Sequence, residues 1–408
     1  MSYLEKLLEG VELEWKSFGE VAKIQRGASP RPIAKFITDN QNGVPWIKIG
    51  DTLPNSKYVI QTKQKITQEG AEKSRILKKG DLIMSNSMSF GRPYILNIDG
   101  AIHDGWASIS DFEDELNTDY IFHYLSSDIV QNYWLTKINS SSVSNLNADI
   151  IKALQIPIPP LSVQKEIVRI LDTFTELTAE LTAELTARKQ QYSFYREELL
   201  SFNEGEVDWK TLGEVGEFQR GKRFVKDDLI SEGVPTIHYG EMYTHYGIWA
   251  DQTKSFVSEE LVAKKNLRIA EKGDVVIVAA GETIEDLGKG TAWLADEGVV
   301  VHDACFSFRS PINSKYFAYF TRTKQYHDQI RRHISSGKIS AINSKGLGKV
   351  IIPIPSKEEQ ERIVSILDKF DVLTASISEG LPKEIELRKK QYEYYRDLLL
   401  TFPKQEQQ

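Results

Sequence analysis

The chain has 408 residues, long for one compact domain, and its length points to two to four units. Its 40% apolar and 27% charged residues are ordinary globular proportions that exclude wholesale disorder, and no apolar run approaches the ~18–20 residues a bilayer crossing needs. The N-terminus has no basic start, apolar run or cleavage site of a signal peptide, and Cys305, the single cysteine, excludes an internal disulfide and a cysteine-based zinc site; a cytoplasmic protein is expected.

In chain order, residues 1–11 form a short segment whose Glu5-Lys6-Leu7-Leu8 echoes Glu197-Glu198-Leu199-Leu200, and packing near the C-terminal helix is expected. Residues 12–155 open on Trp15-Lys16-Ser17-Phe18-Gly19-Glu20-Val21 and carry β-rich runs at 44–49 and 81–84. A helix is expected near 119–135. Residues 156–205 begin with Ile156-Pro157-Ile158-Pro159, extended because a residue before proline is pushed out of the helical region. Ser162 is the expected cap of a long helix. In it Ile170, Phe174, Leu177, Leu181, Leu185, Tyr192, Tyr195, Leu199 and Phe202 recur in steps of three and four, with Arg188 filling one polar gap. That spacing is a coiled-coil seam.

The chain then repeats itself. Trp209-Lys210-Thr211-Leu212-Gly213-Glu214-Val215 opens residues 206–350, which carry β-like runs at 274–279 and 298–308 and a helix near 314–333. Residues 351–408 bring Ile352-Pro353-Ile354-Pro355, the expected cap Ser356, and a second long helix that Gly380 and Pro382 should break or kink. Seven matching blocks appear in one order at offsets of 190 to 200. The helical segments match best and the domains between them differ. The expected fold is α+β: two similar mixed α/β domains separated by two long helices packed as an antiparallel coiled coil, in a pseudo-two-fold circular repeat.

This layout resembles the specificity subunit of type I restriction–modification systems over essentially the whole chain. The likeness is carried by the Trp-Lys…Gly-Glu-Val openings and by Pro-Ile-Pro followed by Gln164…Ile167-Val168…Ile170-Leu171-Asp172. The basic-aromatic helix ends, Arg188 to Phe202 and Arg388 to Phe402, complete it. Two Thr-Ala-Glu-Leu units between Leu177 and Leu185 are similar to the type IC branch. The resemblance implies that each domain is a target recognition domain reading one half of a split, asymmetric double-stranded DNA site. It implies partners as well: two methyltransferase subunits docked on the helices, and restriction/translocase subunits joining that core. The chain itself would be non-catalytic and bind no cofactor, with S-adenosylmethionine, ATP and magnesium held by the partner subunits. The competing readings are a DNA-binding scaffold unrelated to restriction and an enzyme with an unfamiliar site.

The residues offer DNA contacts despite the net charge of −7. Residues 12–155 sum to −1 and 206–350 to 0, so the acidity lies in the remaining, helical stretches. Lys23, Arg26, Arg31 and Lys35 lie in a run free of acids, and Arg220, Lys222, Arg223 and Lys226 repeat it. Clustered cations of this kind neutralise phosphates. A further cluster combines Arg322, Lys324, Arg331, Arg332 and Lys338 with Tyr326. Base-reading candidates are the polar loops with Ser87, Arg92, Ser141, Asn145 and Asn343, although ordinary turn chemistry explains them equally well. His103-Asp104 and His302-Asp303 are expected to diverge, as neighbours on a strand do, and so to be structural. Tyr192, Tyr195, Arg196, Tyr392, Tyr395 and Arg396 are the candidates for partner docking. Leu177, Leu181 and Leu185 mark the tract expected to set the gap between half-sites.

Overall fold

The computed structural model describes residues 3–11, 13–52, 56–86, 91–139, 146–337, 339–376 and 378–403. The chain divides into two compact units, Met1–Leu181 with Glu384–Gln408, and Thr182–Lys383.

The neck of the first domain explains its opening and closing motifs. Glu14–Ser17 pairs antiparallel with Gln155–Ile158, Trp15 opposite Pro157. Proline donates nothing to a ladder and is confined to such edge pairs. Beyond the neck, among the described residues, lie two five-stranded sheets. One runs Lys23–Arg26, Trp106–Ser110, Leu82–Ser85, Pro93–Leu96, Tyr58–Val59; the other runs Ile37–Thr38, Gln64–Ile66, Val44–Ile47, Gly100–Ile102, Arg75–Leu77. Leu82–Ser85 is buried throughout because both its faces are covered. Leu82 and Met84 join the core under the helices, while Ile83 points into the core between the sheets.

The second domain repeats the plan. Asp208–Thr211 pairs with Ile351–Ile354, Trp209 opposite Pro353. The sheet Glu217–Arg220, Cys305–Arg309, Val275–Val278, Gly290–Trp293, Trp249–Ala250 has the first sheet's order. Its central strand again divides its side chains, Val275 and Ile277 to the helical side, Val276 and Val278 to the other.

The expected helix near 119–135 is two, Thr118–Leu125 and Asp128–Asn139, and that near 314–333 is Ser314–Phe320, Lys324–Ile330 and a 3-10 turn. Polar side chains make the breaks. Ser127 Oγ donates to the Tyr124 carbonyl, and the Thr323 hydroxyl accepts from Tyr326 N–H.

The central helix, Leu161–Leu199, is continuous over 39 residues. Ser162 does not cap it: the helix starts at Leu161, and the Pro160 carbonyl accepts from Val163 and Gln164. Ser356 does cap its counterpart, accepting from Glu359 N–H at 3.2 Å. The second helical stretch is Lys357–Ala375 followed by Gly380–Leu400. The break precedes Gly380, whose φ of +78° suits glycine, and Pro382 sits in the first turn, where its missing N–H costs nothing. Within the first unit Val163, Ile167 and Leu171 share a core with Leu399, Leu400 and Phe402, and Phe174 stacks on Tyr395 at 5.2 Å. Within the second, Leu200 meets Ile363, Val364 and Leu367, and Tyr192 stacks on Phe370 at 6.0 Å. In each unit the numbers rise on one helix as they fall on the other, so the packing is antiparallel.

Each domain is tied to its helix by a buried glutamine. Gln164 Oε1 accepts from Asn117 N–H at 2.7 Å, and its Nε2 donates to the Glu115 and Pro159 carbonyls, both at 2.8 Å. Gln360 accepts from Asn313 N–H and donates to the Pro355 carbonyl, both at 2.9 Å. Tyr120 and Tyr316 finish the neck, donating to the Pro157 and Pro353 carbonyls at 3.0 Å.

Candidate nucleic-acid interface

Both domains build the same frame where their first basic cluster begins. Gly27 and Gly221 lie so close to the next turn that a Cβ would stand 2.1 and 2.2 Å from the His103 and His302 carbonyl oxygens. Arg26 Nε donates to the Asp104 carbonyl at 3.2 Å, and Arg220 Nε to that of Asp303 at 2.9 Å. His103 Nδ1 accepts from Gly105 N–H at 2.9 Å, and His302 Nδ1 from Ala304 N–H at 3.1 Å. Lys48 N–H donates to the Asp51 carboxylate at 2.8 Å, and His238 N–H to that of Glu241 at 3.3 Å.

The expected divergence of the His-Asp pairs is corrected. They lie in turns between strands, where strand alternation does not apply, and His103 Nε2 stands 2.9 Å from Asp104 Oδ1, His302 Nδ1 3.1 Å from Asp303 Oδ1. His302 remains a framework residue: its Nε2 donates to the Phe224 carbonyl at 3.1 Å, and burial holds its imidazole below the usual range. Cys305 is fully buried, its thiol pushed up to about 12 by burial. Among the described residues no three His, Cys, Asp or Glu side chains converge as metal ligands, and no helix is long and apolar enough to cross a membrane.

Arg26 and Arg220 are thus anchored at one nitrogen, while other cations stand further out. Lys23 reaches Asp111 at 3.6 Å and Arg31 reaches Asp104 at 3.7 Å, both from exposed positions. Lys35 is exposed on the 3-10 turn Ile33–Lys35. Arg92 lies over the Tyr94 ring at 5.3 Å. In the second domain Lys222 donates to the Lys265 carbonyl at 3.4 Å, and Arg223, Lys226, Arg331 and Arg332 are exposed. Ser87, Ser141, Asn145 and Lys338 lie outside the described residues. Asn343 caps the helix Ser344–Gly348, its side chain accepting from Gly346 N–H at 2.8 Å, which Asn147 matches in the first domain by accepting from Ile150 N–H. The cluster around Arg322 divides. Its guanidinium holds the Gly247, Ala318 and Gly290 carbonyls and is pushed down to about 10 by burial, and Tyr326 is core.

The helix ends divide too. Tyr192 and Tyr392 turn inward, Arg396 pairs with Asp128 at 2.6 Å, and Arg196 lies over the Tyr192 ring at 5.5 Å. Tyr195 and Tyr395 each stack one face on a phenylalanine and leave more than a third of the side chain exposed. Among the described residues the most exposed aromatics are their neighbours, Phe194 at 63% and Tyr394 at 65%. The signal for them was available: an aromatic residue recurs at that step of both Arg-Lys-x-Gln-Tyr motifs.

Tyr392 belongs to a buried network found in the first unit. His123 is fully buried, its Nε2 2.9 Å from Asp172 Oδ1 and its Nδ1 2.8 Å from the Tyr392 hydroxyl, while Lys57 bridges Asp119 and Asp172 at 2.7 and 2.8 Å. Burial pushes the His123 imidazole below its usual range, against the pull of Asp172. Burial would raise the Asp172 carboxyl, but His123 and Lys57 hold it low. A depressed folded-state pKa stabilises above the unfolded value and loses that contribution as pH falls. Taking the pH from 7.5 to 5.5 is therefore expected to cost the first unit at most about 1.4 kcal/mol through His123. Thermal melts at both pH values check this, with His123→Gln expected to show a smaller difference than the wild type.

Comparison with known proteins places this architecture. The fold is that of type I S subunits. It superposes with a TM-score of 0.64 on a chain solved in work on complex assembly and conformational transition of the type I R-M system, at 17% identity over 95% of this chain and 97% of that one. On the type I restriction–modification S subunit from M. genitalium the TM-score is 0.52, at 16% identity over 99% and 100%. The type I restriction modification DNA specificity domain matches residues 11–188 and again 206–387. The whole chain is 34% identical to the type I restriction enzyme EcoR124I/EcoR124II specificity subunit of Escherichia coli, covering 98% of it. The chain belongs to this family: it is the DNA specificity subunit, the non-catalytic component, of a type I restriction–modification system.

Proposed function

We propose that this subunit reads a bipartite, asymmetric DNA site, with residues 12–155 on one half and 206–350 on the other. The observation that carries the reading is the frame built twice, each time beside exposed cations and each time displaying different side chains. Phosphate contacts fall to Lys23, Arg31 and Lys35 in one domain and to Arg223 and Lys226 in the other, because these cations are exposed and belong to the basic cluster beside the frame. The acidic balance of the helical stretches does not oppose this, since the two domains are near neutral.

The helices dock two methyltransferase subunits. Phe194-Tyr195 and Tyr394-Tyr395 present one aromatic step twice, as two identical partners require. Those subunits bind S-adenosylmethionine and methylate an adenine in each half-site, while restriction/translocase subunits bring ATP and magnesium. The test is to map N6-methyladenine in DNA from cells expressing the chain with its methyltransferase. Two unlike half-sites at a constant gap are expected; a single contiguous target, or methylation by this chain alone, overturns the reading.

A further inference from the structure

The second domain contains a cleft of about 770 Å³ between the loop 223–226, the turn 238–243 and the segment 280–286. Its floor is a cluster of four rings. His238 stands 4.6 Å from both Tyr239 and His302, Phe224 4.9 Å from His302, and Tyr239 5.1 Å from His302. Phe224 and His302 are buried and fully engaged, whereas Tyr239 and Tyr243 are exposed and His238 half-exposed. Arg223 and Lys226 line it from the loop 223–226, and Glu282 and Asp286 from the segment 280–286.

His238 is held in one orientation. Its Nδ1 accepts from Gly240 N–H at 3.3 Å, so in the neutral ring the proton sits on Nε2, for which the described residues supply no hydrogen-bond partner. Burial keeps this imidazole below its usual range, against Glu241, so the neutral form holds at neutral pH.

The repeat sets the cleft against its counterpart in the first domain. The frame positions, Arg26/Arg220, Gly27/Gly221, His103/His302 and Asp51/Glu241, keep their interactions in both domains. The two residues beside them do not: Lys48 and Ile49, the latter packed against the core between the sheets, stand in the first domain where His238 and the exposed Tyr239 stand in the second. In the first domain Lys48 Nζ is held on Gln64 Oε1 at 2.7 Å. A kept frame with exchanged display is what a duplicated reader needs when its two targets differ.

We infer that this cleft is the specificity-determining contact of the second domain with its half-site: Arg223 and Lys226 hold the phosphates of one strand, Tyr239 packs against a base, and His238 donates from Nε2 to a base-edge acceptor. This rests on the two-reader assignment above. A donor at that place favours guanine N7 or O6, adenine N7 or thymine O4, and rejects cytosine, whose major-groove edge offers an amino donor. An aromatic face beside it adds stacking or contact with a thymine methyl.

The test uses the full chain in complex with its methyltransferase subunits, presented with duplex libraries randomised in one half-site at a time. His238→Ala and Tyr239→Ala are each expected to reduce discrimination about tenfold or more at one or two positions of one half-site, with the other half-site unchanged within twofold. Arg223→Ala and Lys226→Ala are expected to weaken binding to all sequences alike and to flatten its salt dependence. The double exchange H238K/Y239I, which installs the pair the same frame already holds in the first domain, gives the same reading if an alanine variant fails to fold. Unchanged preference at every position in the exchanged protein overturns the inference while leaving the two-reader assignment standing. A wild-type complex that selects only one half-site overturns both.

Discussion

Gln164→Ala is expected to be among the most damaging single substitutions in the first unit, costing about 3–5 kcal/mol. The side chain is fully buried and serves three backbone groups, the Asn117 N–H and the Glu115 and Pro159 carbonyls. Truncation leaves those groups without their partner at a site closed to water. Unmet buried groups cost about 1–3 kcal/mol each, and the cavity adds to them. For a unit of this size the melting temperature should fall by roughly 10 °C. Gln360→Ala should cost less, because Gln360 makes two such bonds. Calorimetry or tryptophan fluorescence on the two variants would show the order, and an unchanged melt for Gln164→Ala would remove the glutamine from its role at the neck.

The second large effect concerns the target. One more Thr-Ala-Glu-Leu inserted after Leu185 is expected to lengthen the gap between half-sites by one base pair, and deleting one unit to shorten it by one, with both half-sites unchanged. Four helical residues add ~6 Å and a net turn of ~40°, against ~3.4 Å and ~35° per base pair. The twist agrees; the rise agrees only if the helix lies oblique to the DNA. The helix can absorb the insertion. It is continuous here, Leu177 is exposed, Leu181 and Leu185 are half-covered, and the threonines bond to their own helix, Thr178 to the Phe174 carbonyl and Thr186 to that of Thr182. Four residues also form a stutter that preserves the seam. Methylation maps of the variants would show the gap directly, and an unchanged gap would sink the idea.

The repeat carried most of the architecture in advance. Matching Trp-Lys openings and Ile-Pro-Ile-Pro closings announced two domains of one plan, and the steps of three and four announced the helix pairing. Local polar chemistry was harder to read. Ser162 reads as a helix cap and Asn343 as a base-reading loop residue, yet Asn343 caps a helix and Ser162 sits inside one, because that helix already starts at Leu161. The Arg322 cluster reads as a basic patch, but a guanidinium can serve carbonyls as well as phosphates, and composition does not distinguish the two. The cleft of the second domain was missed for a related reason. The turns at 48–51 and 238–241 come beside those at 103–105 and 302–304 only through the parallel pairing of Val44–Ile47 with Gly100–Ile102, and of Val234–Ile237 with Val299–Val301. A parallel pair joins segments far apart in the chain and leaves no local periodic trace.

The pairing of Trp15 with Pro157 and of Trp209 with Pro353 also bears on inheritance. Each domain begins and ends on adjacent strands, ~5 Å apart, the first running on into Leu161–Leu199 and the second lying between that helix and Lys357–Ala375. A crossover between genes at those two points would exchange a whole domain without moving a residue of the helices. On the two-reader assignment proposed above, the two matched necks would let recombination change one half-site as a single cassette while the helices and the other reader stay as they are.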